Sequence, residues 1–217
     1  KDLNSPENKI SNLIQVVGTN SKHSLIASAR EIFETAGYTC NVNISPSLRS
    51  FNERYYFSGK YISDEKLYNL LVEVEKINNN QSISFHEIIT AAWILHASRN
   101  KSNINIIEAG ALFRLDSSNV FQKNICSVIM PIGMDHLDFL KKGTIDEIIY
   151  EKCSCLLGGS KIFISKQKSN VLEKIKKNIS RNSSEKIIFG EDYEYKKSTQ
   201  GFIYKDKIGS INLPLPN

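Results

Sequence analysis

Residues 16–24 read VVGTNSKHS and determine the fold class, because they join an apolar strand to a helix through a turn at Gly18. The apolar run 12–17 predicts a buried strand, and the apolar spacing of 24–36 predicts a helix. Lys22 and Ser24 have the spacing that serves a triphosphate and its Mg²⁺. A strand-to-helix turn with one glycine and a capping serine is also common without a ligand, so the motif alone leaves both interpretations open.

Strands and helices alternate along most of the chain. We predict further strands at 39–44, 104–108, 125–130, 161–165 and 186–190, and further helices at 64–77, 84–98, 145–157 and 171–179. Ser84 with Glu87, and Thr144 with Glu147, form S/T-x-x-E capping boxes for two of these helices. Residues 45–59 read as a loop with irregular strand character, and 202–211 as a hairpin. The alternation predicts an α/β fold of three layers, with a mostly parallel sheet, flanking helices and a C-terminal antiparallel hairpin.

Composition excludes few classes of function. The chain has 217 residues, a net charge of +5 and four cysteines. It has no apolar run of 18 residues and its first residues are polar, so we expect a cytoplasmic protein without a membrane partner and with free thiols. The lysines are scattered and no basic stripe is interleaved with aromatic residues, so we expect no nucleic-acid partner; a nucleic-acid binder that uses the positive charge is the alternative.

Polar residues follow two of the other predicted strands. Glu108 ends the strand INIIE, where a carboxylate is a natural Mg²⁺ ligand. Its alternative role is a salt bridge to Arg114. Asp135 and His136 follow the strand ICSVIM, and they suit either metal binding or acid–base chemistry; a histidine without a ligand role is the alternative. Ligands of parallel α/β sheets bind beyond the carboxyl ends of the strands, where all these residues are expected.

The order of these elements resembles one family, that of folylpolyglutamate synthase and dihydrofolate synthase within the Mur ligase superfamily. The resemblance is colinear over nearly the whole chain. Its motifs are NSPENK before the first strand, GTNSKHS at 18–24, SPSLRSFNER at 45–54, ISDE at 62–65, SFHEIITAA at 84–92, EAGALFRLDSSN at 108–119, IGMDHLDFL at 132–140, EIIYEK at 147–152 and INLPLP at 211–216.

The resemblance implies an ATP-dependent ligase that adds glutamate to folate or dihydropteroate through an acyl phosphate, with ATP and Mg²⁺ bound. The implied nucleotide-binding residues are Gly18, Thr19, Asn20, Ser21, Lys22, His23 and Ser24. The implied metal ligands are Ser24, Glu108 and His136. Lys152 matches a lysine that is carbamylated in the superfamily, and Lys152 and His136 are the implied catalytic residues; an exposed helical lysine paired with acids is the alternative for Lys152. Ser84, Asp116 and Ser117 match positions near the folate, although the capping box is a rival explanation for Ser84.

The same resemblance implies that residues 1–217 form a P-loop-containing, Mur-ligase-like ATP-binding domain that is incomplete at its C-terminus, without the glutamate-binding domain, and monomeric. Some residues depart from the family pattern. Ser21 and His23 replace two loop glycines, so we expect backbone strain at both positions and crowding of the phosphates by His23. Leu112 and Phe113 replace small residues, and Ser47 replaces a histidine. The alternative function is therefore a truncated, catalytically inactive relative that keeps the fold.

Overall fold

The computed structural model describes residues 3–214, which form a sheet of eight strands and a separate sheet of three. The strands are β1 (Leu13–Val17), β2 (Cys40–Asn43), β3 (Tyr55–Phe57), β4 (Lys60–Tyr61), β5 (Ile104–Glu108), β6 (Cys126–Ile129), β7 (Lys161–Ile164), β8 (Glu185–Ile188), β9 (Tyr193–Ser198), β10 (Gly201–Asp206) and β11 (Ser210–Pro214). The helices are α1 (Lys22–Thr35), α2 (Asp64–Asn78), α3 (Phe85–Arg99), α4 (Ile145–Cys153) and α5 (Ser169–Asn178), with short 3₁₀ helices at Pro6–Lys9, Phe51–Arg54 and Leu137–Phe139.

The larger sheet has the order β4-β3-β2-β5-β1-β6-β7-β8. Strands β2, β5, β1, β6, β7 and β8 are parallel, whereas β3 and β4 form an antiparallel edge. All residues of β1 are buried, as expected for the central strand of a sheet covered on both faces. The predicted mostly parallel sheet is therefore confirmed. Because β1 lies between β5 and β6, the carboxyl ends of these three strands are neighbours.

Helices cover both faces of this sheet and make three layers. On one face, α2 and α3 pack around Trp93, and α4 and α5 pack around Ile148 and Ile175. The Trp93 indole N–H donates to the carbonyl of Val42 over 3.0 Å, so its one polar atom is satisfied inside the core. On the other face, α1 packs through Ile26 against the centre of the sheet.

The face of β6, β7 and β8 that is opposite α4 and α5 is less covered by helices than the face beneath α4 and α5. Ile129, Ile164 and Ile188 are buried toward α4 and α5, whereas Val128 and Phe163 on the opposite face are only partly buried. A groove of about 480 Å³ lies over this face, and side chains of β9 and β10 line its other side. No helix within residues 3–214 is long and apolar enough to cross a membrane.

The set of strands, the end of α4 and the second capping box differ from the sequence-based expectations. Strand β3 lies within residues 45–59, where we expected a loop with irregular strand character, whereas β4 and β9 were not predicted. All three strands take their order from antiparallel partners. Helix α4 ends at Cys153 rather than near 157, and beyond it the carbonyls of Leu156 and Leu157 accept hydrogen bonds from the side chains of Asn182 and Ser184.

The C-terminal hairpin is confirmed, as β10 paired with β11, but residues 215–216 of the INLPLP motif lie outside the described part. The second capping box is only half formed: Thr144 caps the Glu147 N–H, but the Glu147 carboxylate accepts from the backbone N–H groups of residues 141–143.

Candidate functional site

The carboxyl ends of β5, β1 and β6 bring three predicted segments together. Val16 lies opposite Glu108 in the β1–β5 register, and the turn after β1 contacts the segment after β6. The backbone N–H groups of Thr19 and Asn20 both donate to the carbonyl of Pro131, over 2.9 and 3.2 Å. These bonds join the predicted phosphate loop to the segment that carries Asp135 and His136.

Gly18 cannot be replaced without moving the neighbouring strand. Its φ is +138°, and a Cβ there would lie 2.7 Å from the Cβ of Met130. Glycine is therefore required by both its backbone conformation and its close approach to β6.

Ser21 and His23 stand where the family pattern has glycine, and only Ser21 has a strained backbone. Ser21 caps α1 with a φ of 64°, in the left-handed region that disfavours side chains. His23 lies inside α1 and is not among the residues with positive φ, so the expectation of strain at this position was wrong.

His23 lines a small cavity together with Ile44, Glu53 and Tyr56, and its crowding of the phosphates stays a prediction. Within the described residues, no hydrogen bond uses the backbone N–H groups of Lys22, His23 or Ser24. These donors, at the positive end of the α1 dipole, are suited to an anion such as a phosphate.

Lys22 and Glu108 face each other at the centre of the site. The Lys22 Nζ lies 3.6 Å from Glu108 Oε1, and the two side chains are only 12% and 3% exposed. The other carboxylate oxygen, Oε2, accepts the backbone N–H of Ser45 at 3.0 Å. Burial raises the pKa of Glu108, while the N–H of Ser45 and the charges of Lys22 and His23 oppose that shift.

The alternative salt bridge of Glu108 to Arg114 is wrong. Arg114 instead pairs with Glu151, over 2.9 Å between Nη2 and Oε1. The Glu108 carboxylate is therefore held at the strand end, beside the predicted phosphate loop.

Ser24 lies in the segment after β1, and His136 lies in the segment after β6. Ser24 is exposed in the first turn of α1. His136 has a φ of 52°, and its Nε2 lies 3.3 Å from Asp135 Oδ2. Residues 3–214 contain no group of three or more His, Cys, Asp or Glu side chains that could hold a metal. The residues present still fit Mg²⁺, because Mg²⁺ at nucleotides uses one or two protein oxygens and takes its other ligands from phosphates and water.

Lys152 is buried, so its alternative role as an exposed helical lysine is wrong. The side chain is near the end of α4 and its Nζ donates to the carbonyl of Ala111 over 2.6 Å. Burial, and after it the positive charge of Lys22, lower the pKa of the Lys152 amine to about 8, while Asp135 acts in the opposite direction. A buried amine with a lowered pKa is readily neutral, which is the state in which it reacts with carbon dioxide or another electrophile.

The three residues predicted to bind folate lie at or beside the start of α3: Ser84 is its N-cap, and Asp116 and Ser117 are in the loop after β5. Ser84 caps α3 and forms the predicted capping box, with its Oγ accepting from the Glu87 N–H and its own N–H donating to Glu87. The Ser117 hydroxyl donates to Thr90 Oγ1 over 2.9 Å. Asp116 contacts His86, a residue for which we predicted no role. The available signal was its place two residues after a predicted N-cap, at the same edge of the sheet as Glu108.

Curated relatives match most of the chain. It is 32% identical over 189 residues to the dihydrofolate synthase/folylpolyglutamate synthase of Bacillus subtilis, a match that covers 84% of this chain and 43% of the relative. It is 26% identical over 209 residues to the protein of the same name from Escherichia coli, covering 93% of this chain and 47% of the relative. No protein-family model matches the chain.

Solved structures have the same fold. E. coli FolC in complex with DHPP and ADP superposes with a TM-score of 0.88 at 22% identity, over 99% of this chain and 52% of that one. The bifunctional folylpolyglutamate synthase/dihydrofolate synthase of Yersinia pestis, complexed with AMPPNP and Mn ion, superposes with a TM-score of 0.88 at 20% identity, over 100% of this chain and 52% of that one. The chain thus spans about half the length of the proteins that it matches.

Proposed function

Since this chain belongs to the folylpolyglutamate synthase and dihydrofolate synthase family, we propose that it is the ATP-binding part of a ligase that joins glutamate to a folate. The relatives carry this activity in their names, and solved neighbours hold adenine nucleotides, Mn ion and L-glutamate. ATP and a divalent metal are therefore the expected ligands of this site.

The buried Lys22–Glu108 pair at the start of α1 carries this proposal. Such a pair is costly to desolvate, and its two charges suit a polyphosphate and its cation respectively. Lys22 and the free N–H groups of the first turn would hold phosphates, while Ser24 and Glu108 would hold Mg²⁺. His136 would support a second metal from the other side of the turn.

Bound ATP would supply the phosphoryl group that converts the folate carboxylate to an acyl phosphate, which the amine of glutamate then attacks with release of phosphate. The chain contributes position and charge neutralisation. Carbamylation of the buried Lys152 amine would convert its positive charge into a negatively charged carboxylate on the side of the proposed metal. Its lowered pKa supports this assignment, because carbamylation requires the neutral amine.

The acceptor would be a folate or dihydropteroate beside Ser84, Asp116 and Ser117. Residues 1–217 would act as the ATP-binding domain of a monomeric enzyme. Glutamate binding would belong to the part of the relatives that this chain does not span.

The test is calorimetric titration of ATP into the protein with and without Mg²⁺. We expect Mg²⁺-dependent binding that the substitution Lys22→Ala abolishes, because the lysine supplies the main side-chain charge for the phosphates. Lys168→Ala is the matched control, since Lys168 is an exposed lysine at the start of α5.

Binding in the wild type and the Lys168 variant but not in the Lys22 variant would support the site. Absence of ATP binding in the wild-type chain would contradict it, and would favour the catalytically inactive relative.

A further inference from the structure

A histidine–carboxylate pair lies beside the proposed nucleotide site. His86 is in the first turn of α3, and Asp116 is in the loop after β5. The His86 Nε2 lies 3.4 Å from Asp116 Oδ2, and the two side chains are 36% and 7% exposed. Within the described residues, this buried Nε2 atom has no hydrogen-bond partner that satisfies angle as well as distance. An incompletely satisfied buried donor in a native fold calls for a functional explanation.

The Asp116 carboxylate is held in one orientation. Its Oδ1 accepts from the backbone N–H of Ser118 over 2.8 Å and also from the Ser118 hydroxyl. Its Oδ2 faces His86 and Gly110. A Cβ at Gly110 would collide with Oδ2 and lie 3.0 Å from His86 Nε2, so the pair as it stands uses the space that glycine leaves open at residue 110.

A second contact joins the same loop to the same helix. Ser117, next to Asp116, donates to Thr90, and the Thr90 hydroxyl donates to the carbonyl of His86 over 2.8 Å. The loop and the first two turns of α3 are therefore connected at two adjacent residues. Asp116 is therefore held from two sides, by Ser118 of its own loop and by the contact with His86 on α3.

The contact favours the charged form of both residues. The Asp116 contact raises the pKa of His86 despite burial, with Glu87 on the same helix adding to the effect and Arg54 from the neighbouring 3₁₀ helix opposing it. Burial would raise the pKa of Asp116, but the contacts with His86 and Ser118 outweigh it and hold that pKa below its ordinary value.

We propose that His86 is a positioning residue for the folate-type ligand, because its imidazole holds the Asp116 carboxylate in the orientation that the ligand meets. This inference rests on the proposed function, and it adds a specificity-determining residue to the acceptor side of the site. His86 acts through Asp116 and need not contact the reacting atoms.

The first experiment measures the pair itself. The chain has four histidines, so each imidazole can be followed in a two-dimensional NMR titration. We expect Asp116→Asn to lower the pKa of His86 and to leave that of His96, in the last turn of α3, unchanged. An unchanged His86 pKa would overturn the inference whether or not folate binds.

The second experiment measures folate affinity by fluorescence or calorimetry. We expect His86→Ala to weaken folate binding by about tenfold, as for the loss of one charged hydrogen-bonding partner. His86→Gln should recover part of the loss, because the amide can still donate to Asp116. Wild-type affinity should also fall as pH rises through the raised pKa of His86, and the variants should not show this dependence.

The matched controls are His96→Gln, on the same helix, and the affinity of every variant for ATP with Mg²⁺; none of these should change. Equal folate affinity in the wild type and both His86 variants would overturn the inference alone. Failure of the wild-type protein to bind folate while ATP still binds would overturn the proposed acceptor and this inference with it.

Discussion

At the scale of single residues, Ser21 carries backbone strain in the predicted phosphate loop, residues 18–24. Its φ of 64° favours glycine, whereas His23, two residues later, is helical. We expect Ser21→Gly to raise the free energy of unfolding by roughly 1 kcal/mol, because it relieves a left-handed conformation. His23→Gly should lower it by a similar amount, roughly 1 kcal/mol, because glycine is a poor helix former.

Urea unfolding of both variants checks this pair of predictions. Stabilisation by both substitutions would show that His23 is strained as well. Stabilisation by neither would show that the turn relaxes around Ser21.

At the scale of elements, Ser84 at the start of α3 has two roles to separate, helix capping and the proposed folate binding. The Ser84–Glu87 capping box stabilises the helix, and Ser84 is also a proposed folate residue. We expect Ser84→Ala to destabilise the protein by about 1 kcal/mol, the usual cost of losing an N-cap. Thermal unfolding checks this, with Ser82→Ala as a control because Ser82 is exposed in the preceding loop.

Glu87→Ala separates the two duties of Ser84. It removes the acceptor for the Ser84 N–H and leaves the Ser84 hydroxyl in place. If Ser84 contacts the folate, affinity should fall in Ser84→Ala and stay near the wild-type value in Glu87→Ala. Equal losses in both variants would mean that only the helix end matters.

At the scale of the whole molecule, Lys152 makes stability depend on pH. Burial lowers its pKa to about 8 in the folded protein, whereas an unfolded chain gives lysine a pKa of about 10.4. Between these values the unfolded state binds more protons than the folded state. The contribution of Lys152 to the free energy of unfolding should therefore rise as pH increases from about 8 to about 10.

Urea unfolding in CO₂-free buffer at several pH values in this window measures the effect. We expect the wild type to gain stability over Lys152→Met as pH rises, because methionine fills similar space without a proton to bind. The control Lys168→Met should show the same pH dependence of the free energy of unfolding as the wild type. A constant difference between wild type and Lys152→Met would contradict the lowered pKa.

The sequence by itself determined the order of strands and helices along the chain. It also determined which residues lie at the ends of the parallel strands. Buried strands and amphipathic helices have local patterns, and local patterns can be read along the chain. For the same reason Gly18, Lys22, Glu108 and the Ser84 cap could be predicted to lie at the ends of strands and helices. The family motifs depend on the same residues, which is why the family and the fold were predicted together.

Tertiary structure alone decided which partners these residues have. Glu108 pairs with Lys22 and not with Arg114, Lys152 is buried, and His86 meets Asp116 across two elements. Strands β4 and β9 also needed their neighbours, since strands without buried residues have no hydrophobic pattern of their own. Burial and pairing depend on segments far apart in sequence, and only packing of the sheet and its helices brings those segments within reach of one another.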